Sequence, residues 1–431
     1  MGNLRLRLQR IRDARRPPVP AFEAGSRDTP SGSLGLEWVP GGFQMLTRSA
    51  VLDPTLTLSP SLPAALPILI PDLLRFTADQ GPLRPETLVF FDLETTGLSV
   101  GTGTTAFLGA FGRFVPAEPK QGKPQEPGSG PYRLQVDQYL LLDYPGEPDF
   151  LATLLRALAA DGHPPLLVTY NGKRFDLPLL QTRCIIHRMS VPRYYVADLL
   201  HPARRLWKGR VPDCSQGSIE SLLGIDRTGD LPGALAPESW FSFLRSGETE
   251  GLLQVCEHNQ RDVLGLASLF AALTHIAASP LTVLAKYRYN LEHLALAWRK
   301  TLKQSATAWG AAVQQTGAVL LEAATAQAYP RAVLATALDM MVQGHSEPGR
   351  LQLQKLAAGT APVLVKAAAY RALAIDAEWR LQDSPTALGY VEAALRLGLR
   401  ECMRKAFSHR RERLLRKGGA RNRPPTPPAS P

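Results

Sequence analysis

Asp92 and Glu94 close an apolar run, Leu88-Val-Phe-Phe-Asp92-Leu-Glu94-Thr-Thr-Gly97. Residues 88–91 are β-formers in a run too short for a helix, which predicts a buried strand. Two residues apart on a strand, the two carboxylates project from one face. Side by side on a core strand they repel each other and lose hydration. A divalent cation between them removes both costs, and hard oxygen ligands suit Mg²⁺ or Mn²⁺. An isolated Asp-x-Glu is more often a strand ending at a polar turn, so the weight rests on the motifs downstream.

The first of these is Val168-Thr-Tyr-Asn171-Gly-Lys-Arg-Phe175-Asp176-Leu-Pro-Leu-Leu. Residues 166–170 read as a second short buried strand, Asn171-Gly172 as a turn, and residues 175–189 as a helix. Asp176 falls in that helix's first turn, where the helix dipole favours a carboxylate. The second is Cys256-Glu-His258-Asn-Gln-Arg-Asp262-Val-Leu-Gly-Leu, inside an apolar periodic stretch over 251–277. On a helix, His258 and Asp262 lie one turn apart on one face. Such a pair suits a metal ligand beside a general base, although it is also a common surface pairing.

Taken in order, Asp-x-Glu, Asn-x4-Asp and a His shortly before a last Asp resemble the DEDD exonuclease superfamily. The run Asp198-Leu-Leu-His-Pro-Ala-Arg204-Arg205-Leu-Trp207-Lys208 makes the likeness closest to the YprB-like predicted exonucleases. The resemblance covers residues 85–275. It implies an RNase H-like fold and cleavage of nucleic acid from the 3′ end with two metal ions. It also implies that Asp92, Glu94, Asp176 and Asp262 are metal ligands and that His258 orients the attacking water. One departure bears on His258. The superfamily's catalytic His usually stands five residues before the last Asp and a Tyr four before it; here the His stands four before, and Glu257 takes the fifth place. His258 is therefore either a general base or a hydrogen-bond partner of the water.

An in-line displacement at a phosphodiester builds charge on the attacking and leaving oxygens. Two metal ions about 4 Å apart stabilise both and acidify a bound water. Four carboxylates hold two divalent ions without excess positive charge, and four are offered.

The 431 residues suffice for two or three domains, and 45% hydrophobic residues provide a sizeable core. The net charge of +11 points towards a polyanionic partner. Much of the excess lies near the C-terminus, where residues 396–423 carry eleven Lys or Arg against Glu401 and Glu412. Cys184, Cys214, Cys256 and Cys402 are far apart, with neither a zinc pattern nor a disulfide framework, as in a reducing cytosol. The start has no apolar signal core, and the apolar stretch 62–76 is broken by three prolines and too short to span a bilayer. These features predict a cytoplasmic protein with no membrane partner.

The expected fold class is α/β: an RNase H-like mixed sheet with flanking helices, followed by an all-α, tetratricopeptide-like C-terminal domain. Residues 1–80 form an irregular basic N-terminal segment, with residues 4–16 either a short basic helix or a solvated arm. The nuclease domain spans 81–278. Within it, strands are expected at 104–115, 133–142 and 194–197, with an exposed, mobile loop at 116–131. Asp198 is read as a helix N-cap rather than a fifth acid at the metals. Asn171, Lys173, Arg204, Arg205 and Lys208, with Arg210 nearby, are the candidate nucleic-acid contacts. Trp207 is read as core. Helices fill 279–416, where Tyr370-x2-Leu373-Ala374 with Ala387-x3-Val391-x2-Ala394 is spaced like a tetratricopeptide hairpin. This region would recruit a protein partner or add a basic rim. Residues 417–431 are read as disordered.

The expected activity is metal-dependent 3′→5′ exonucleolysis of single-stranded DNA or RNA, with polarity and exo mode implied by the resemblance. The rivals are a structure-specific endonuclease on the same fold and a nucleic-acid-binding scaffold.

Overall fold

The computed structural model describes residues 37–58, 62–97, 101–116, 131–159, 163–304 and 306–421. The expected basic arm at 4–16 and most of the 116–131 loop lie outside them.

Seven strands form one mixed sheet: β1 (Val39–Gly42), β2 (Met45–Thr57), β3 (Leu88–Thr95), β4 (Ala106–Pro116), β5 (Pro131–Leu141), β6 (Leu166–Thr169) and β7 (Tyr195–Asp198). Their order is β1-β2-β5-β4-β3-β6-β7. The first five pair antiparallel, whereas β3, β6 and β7 run parallel, so the C-terminal ends of these three strands share one edge. Strand β3 sits at the switch between the two patterns.

Sidedness follows from the period of two. Leu88 and Phe90 enter one core, while Val89, Phe91 and Leu93 enter the other. Asp92 and Glu94 continue the Phe90 face just past its apolar part. That face is covered by the long helix α8 (Glu250–Ala278), whose Phe270 meets Phe90 edge-on at 5.9 Å. The close approach has a cause in β4: a Cβ on Gly112 would stand 2.5 Å from Val263 Cγ1. The opposite face packs against α3 (Glu147–Leu158), α4 (Asp176–Ile186) and α7 (Ala236–Ser246). Two short helices, α1 (Leu66–Leu69) and α2 (Leu73–Gln80), together with α5 (Leu200–Trp207) and α6 (Gln216–Leu223), complete the α8 side. Trp207 is core as expected; it is fully buried and donates to Tyr287 O at 2.8 Å. Helix α8 is long and apolar enough to cross a membrane, but 67% of its apolar window is buried inside this fold.

The expectation of an irregular segment before residue 80 fails at residues 39–57. Strand β2 pairs with β5 from Met45↔Leu141 to Thr57↔Pro131, and buried Met45 and Leu46 anchor it. Its Pro and its broken alternation hide the strand, which tertiary pairing creates.

After α8 every described element is helical: α9 (Leu284–Tyr287), α10 (Leu291–Gln304), α11 (Ala311–Ala326), α12 (Pro330–Val342), α13 (Ser346–Ala358), α14 (Val363–Trp379), α15 (Ser384–Leu395) and α16 (Glu401–Arg421), with a 3₁₀ turn at Ala306–Ala308. From α10 on, each packs against the next. The last strand ends at Asp198 and helix α8 at Ala278, but the core runs on: Trp298, Leu320 and Ala332 belong to the same cluster as Phe90. The predicted pairing of Ala374 with Ala387, Val391 and Ala394 is present in the α14–α15 hairpin. Residues 417–421, expected to be disordered, continue α16.

Candidate active site

Three elements deliver the four carboxylates. Strand β3 carries Asp92 and Glu94 on one face, and its register with β4 shifts immediately after Glu94. Asp176 opens α4 and Asp262 lies mid-way along α8. The turn into α4 is built by Asp198. This buried carboxylate accepts from Asn171 N at 2.8 Å, Leu200 N at 3.1 Å and Lys173 N at 3.3 Å. Asn171 takes φ 62°, a left-handed conformation that Asn tolerates better than most residues. The N-cap of the following helix is Leu199 and not Asp198 as expected; Asp198 instead ties the end of β7 to the turn that delivers Asp176.

The acids share one electrostatic environment. Burial pushes the Asp92 carboxyl well up, and the charges of Asp262, Asp176 and Glu94 push it further; a hydrogen bond from Asn259 opposes them. Glu94 is raised by burial, then by Asp262, Asp176 and Asp230. Asp176 is pushed up to about 7 by burial, with Asp198 adding, against backbone N–H bonds from its own residue and Leu93. Glu94, His258 and Asp262 each offer a ligand atom within 4.8 Å of the other two. His258 and Asp262 do share a helix face, with Nε2 3.4 Å from Oδ2.

Residues that sequence reasoning missed hold this cluster in place. His258 Nδ1 lies 3.0 Å from Asp230 Oδ1. Gly233 gives the imidazole room, since a Cβ there would stand 3.1 Å from Nε2. Arg227 bridges three carboxylates: Glu220 Oε2 at 2.6 Å, Asp230 Oδ2 at 2.6 Å, and Asp262 Oδ1. Burial pushes the Asp230 carboxyl up, but Arg227 and His258 outweigh it and hold the group below its ordinary range. Glu220 is fully buried beside Gly265, where any side chain would overlap its carboxylate. On the sheet side, Asn259 Nδ2 donates to Asp92 Oδ2 at 2.8 Å, and Gln138 Nε2 donates to Asn259 Oδ1 at 2.9 Å. Arg48 of β2 in turn donates from Nε to Gln138 Oε1 at 3.1 Å. A polar relay thus runs from the added strand to the first catalytic candidate.

The predicted nucleic-acid contacts divide. Arg204, Lys208 and Arg210 are exposed on or just beyond α5. Arg205 is turned inward, donating to Ile68 O at 3.0 Å, and burial lowers its pKa. Its place in a basic face is thereby lost. Lys173 pairs with Asp72 at 2.6 Å, and Asn171 serves the turn through its backbone.

The donor set fits divalent metal. It consists of hard oxygens, three of its carboxyls are raised by burial and mutual repulsion, and among the described residues no Lys or Arg forms an ion pair with Asp92, Glu94 or Asp176.

Two comparisons with known proteins meet this geometry. Residues 89–274 match a family model, RNase_H_2, of the RNase_H superfamily. A stretch of 187 residues is 38% identical to the uncharacterized protein YprB of Bacillus subtilis (strain 168). That match covers 42% of this chain and 41% of YprB, so the chain spans less than half of its relative. Sheet order, acidic cluster and family match meet on the same segment, residues 89–274, which is similar to the RNase_H superfamily.

Proposed function

We propose that the protein is a metal-dependent nuclease acting as a 3′→5′ exonuclease on single-stranded DNA or RNA. The observation that carries this reading is the state of Asp92: burial and the charges of Asp262, Asp176 and Glu94 all raise its pKa. A fold that gathers four acids and, among the described residues, leaves three without a basic partner is suited to receive cations. Asp92, Glu94, Asp176 and Asp262 would hold two Mg²⁺ or Mn²⁺ ions. When bound, such ions supply an acidified water and charge stabilisation at the phosphoryl oxygens. His258, whose Nδ1 lies 3.0 Å from the Asp230 carboxylate, accepts a proton from the attacking water or orients it. Arg204, Lys208 and Arg210 grip phosphates beside the site, with Asn171 and Lys173 as further contacts. The nuclease domain is 81–278. The helices of 279–416 form a tetratricopeptide-like extension, and the free thiols suit a cytoplasmic setting.

The test uses 5′-labelled single-stranded DNA and RNA with Mn²⁺ or Mg²⁺, alongside Asp92→Ala. A ladder shortening from the 3′ end, absent without metal and in the variant, is the expected result and selects the sugar. Defined internal fragments would replace exonuclease with endonuclease. Salt-sensitive binding without cleavage would leave a scaffold.

A further inference from the structure

Trp379 ends α14 with 62% of its surface open to solvent, a large apolar ring that the helical region leaves uncovered. It is not bare. Arg413 Cζ stands 5.7 Å and Lys417 Nζ 4.9 Å from its ring centroid. Both cations belong to α16, and α16 is fixed from within. The buried carboxylate of the neighbouring Glu378 accepts from Arg410 Nη1 at 2.8 Å and Arg413 Nη2 at 2.6 Å, with Lys417 Nζ 4.0 Å away. The ring and the two cations lying over it are therefore held in place before any ligand arrives, and a base would stack on the part of the ring that they leave exposed. The half-exposed Arg380 follows Trp379 directly, with Nε 3.6 Å from Asp376 Oδ1 and Nη2 donating to Met341 O at 3.2 Å, so a phosphate there would add to or replace these contacts. Over its length α16 carries eight Lys or Arg against Glu401 and Glu412.

We infer that this surface is a second contact for single-stranded nucleic acid, separate from the acidic cluster: a base stacks on Trp379 while neighbouring phosphates lie along Arg380, Arg413, Arg416 and Lys417. Sequence-tolerant binding of a single strand needs a π-face and a cationic track beside it, and both are present in one pre-set arrangement. An acidic protein segment would satisfy the cations but make little use of a flat exposed ring. The choice of ligand rests on the nuclease reading, yet the contact can be measured without cleavage.

Full-length protein in EDTA is titrated into fluorescein-labelled oligo-dT and oligo-U of about twenty nucleotides, several times the span of one stacking site. Anisotropy and tryptophan quenching are followed across salt. Trp379→Ala should weaken binding by about 5- to 150-fold, the range for one lost base–aromatic stack. Trp379→Phe should keep most of the affinity. Arg416→Gln with Lys417→Gln should flatten the plot of log K against log salt by about 1.4, two phosphate contacts on a single strand. Circular dichroism confirms that each variant is folded. Equal affinities for wild type and Trp379→Ala would overturn the inference. So would a wild type that binds neither oligonucleotide, or a defect confined to binding of polyglutamate. If Trp379→Ala weakens binding in a protein that cuts nothing, the contact stands and the nuclease reading falls. If the protein cuts but the variant binds normally, the reverse holds.

Discussion

Asp176→Asn should stabilise the metal-free protein, by an amount that grows with pH. In the unfolded chain this carboxyl ionises near its ordinary value of 3.8; in the fold, burial and Asp198 hold the proton until about pH 7. Between those values the native state binds more protons than the unfolded state. Its stability therefore falls as pH rises, by about 1.4 kcal/mol per pH unit. The full interval gives a ceiling of about 4 kcal/mol. Asp176 keeps partial contact with solvent, which screens the repulsion and brings the expected gap to about 2 kcal/mol. Asparagine has no such titration. The assay is urea unfolding of wild type and variant in EDTA, from about pH 4 to about pH 8, which spans the interval between the unfolded and native values. The variant's advantage should be smallest at the acid end, widen through neutrality and level off above about pH 7. Saturating Mg²⁺ or Mn²⁺ should close the gap, because the cations stabilise the ionised wild-type site. A difference independent of pH, or a variant less stable than wild type in EDTA at the alkaline end, would refute the reasoning.

Other perturbations test the supports of the site. Asn259→Ala removes the bonds to Asp92 and from Gln138 and should cost about 2 kcal/mol in urea unfolding, as buried polar atoms lose their partner. Arg227→Met strands the buried Glu220 and should cost about 3–5 kcal/mol; adding Glu220→Gln should recover most of the loss, as a double-mutant cycle would show. Gly265→Ala, which in an open helix would stabilise by about 0.5–1 kcal/mol, should here destabilise, because the methyl overlaps the Glu220 carboxylate. Thermal melts of that variant read the sign directly.

What could be read in advance was whatever local periodicity encodes. The period of two placed Asp92 and Glu94 on one face of β3, and a spacing of four placed His258 and Asp262 on one face of α8. Asn259 was within reach of the same argument, since a buried amide in an apolar helical stretch must find a partner. Asp230, Arg227 and Glu220 were not. Arg227 and Asp230 meet the site, and Arg227 meets Glu220 of α6, only because the segment between α6 and α7 folds back across α8, and no residue near Gly224 or Gly229 announces where it lands. Arg205 shows the opposite failure: its charge suggested an outward face, but α5 turns it towards the carbonyl of Ile68. The strands at 39–57 escaped notice because their β-structure comes from the partner strand and hardly from their own propensity.

The added strands also decide where the segment carrying the four acids can be cut from the chain. Eleven-residue β5 is covered along its outer side by β2, and the sheet then ends in β1, four residues containing Pro40, Gly41 and Gly42. A short, proline-bearing terminus of this kind is a poor template for a stranger's backbone, whereas a long bare strand recruits one. A fragment begun at residue 81 would keep all four acids and present β5 with its amides and carbonyls open. It would also lose Arg48, and with it the outer end of the relay to Asp92. Such a fragment should self-associate edge to edge, so that residues 89–274 bound the family match but not the smallest unit that stays monomeric in gel filtration.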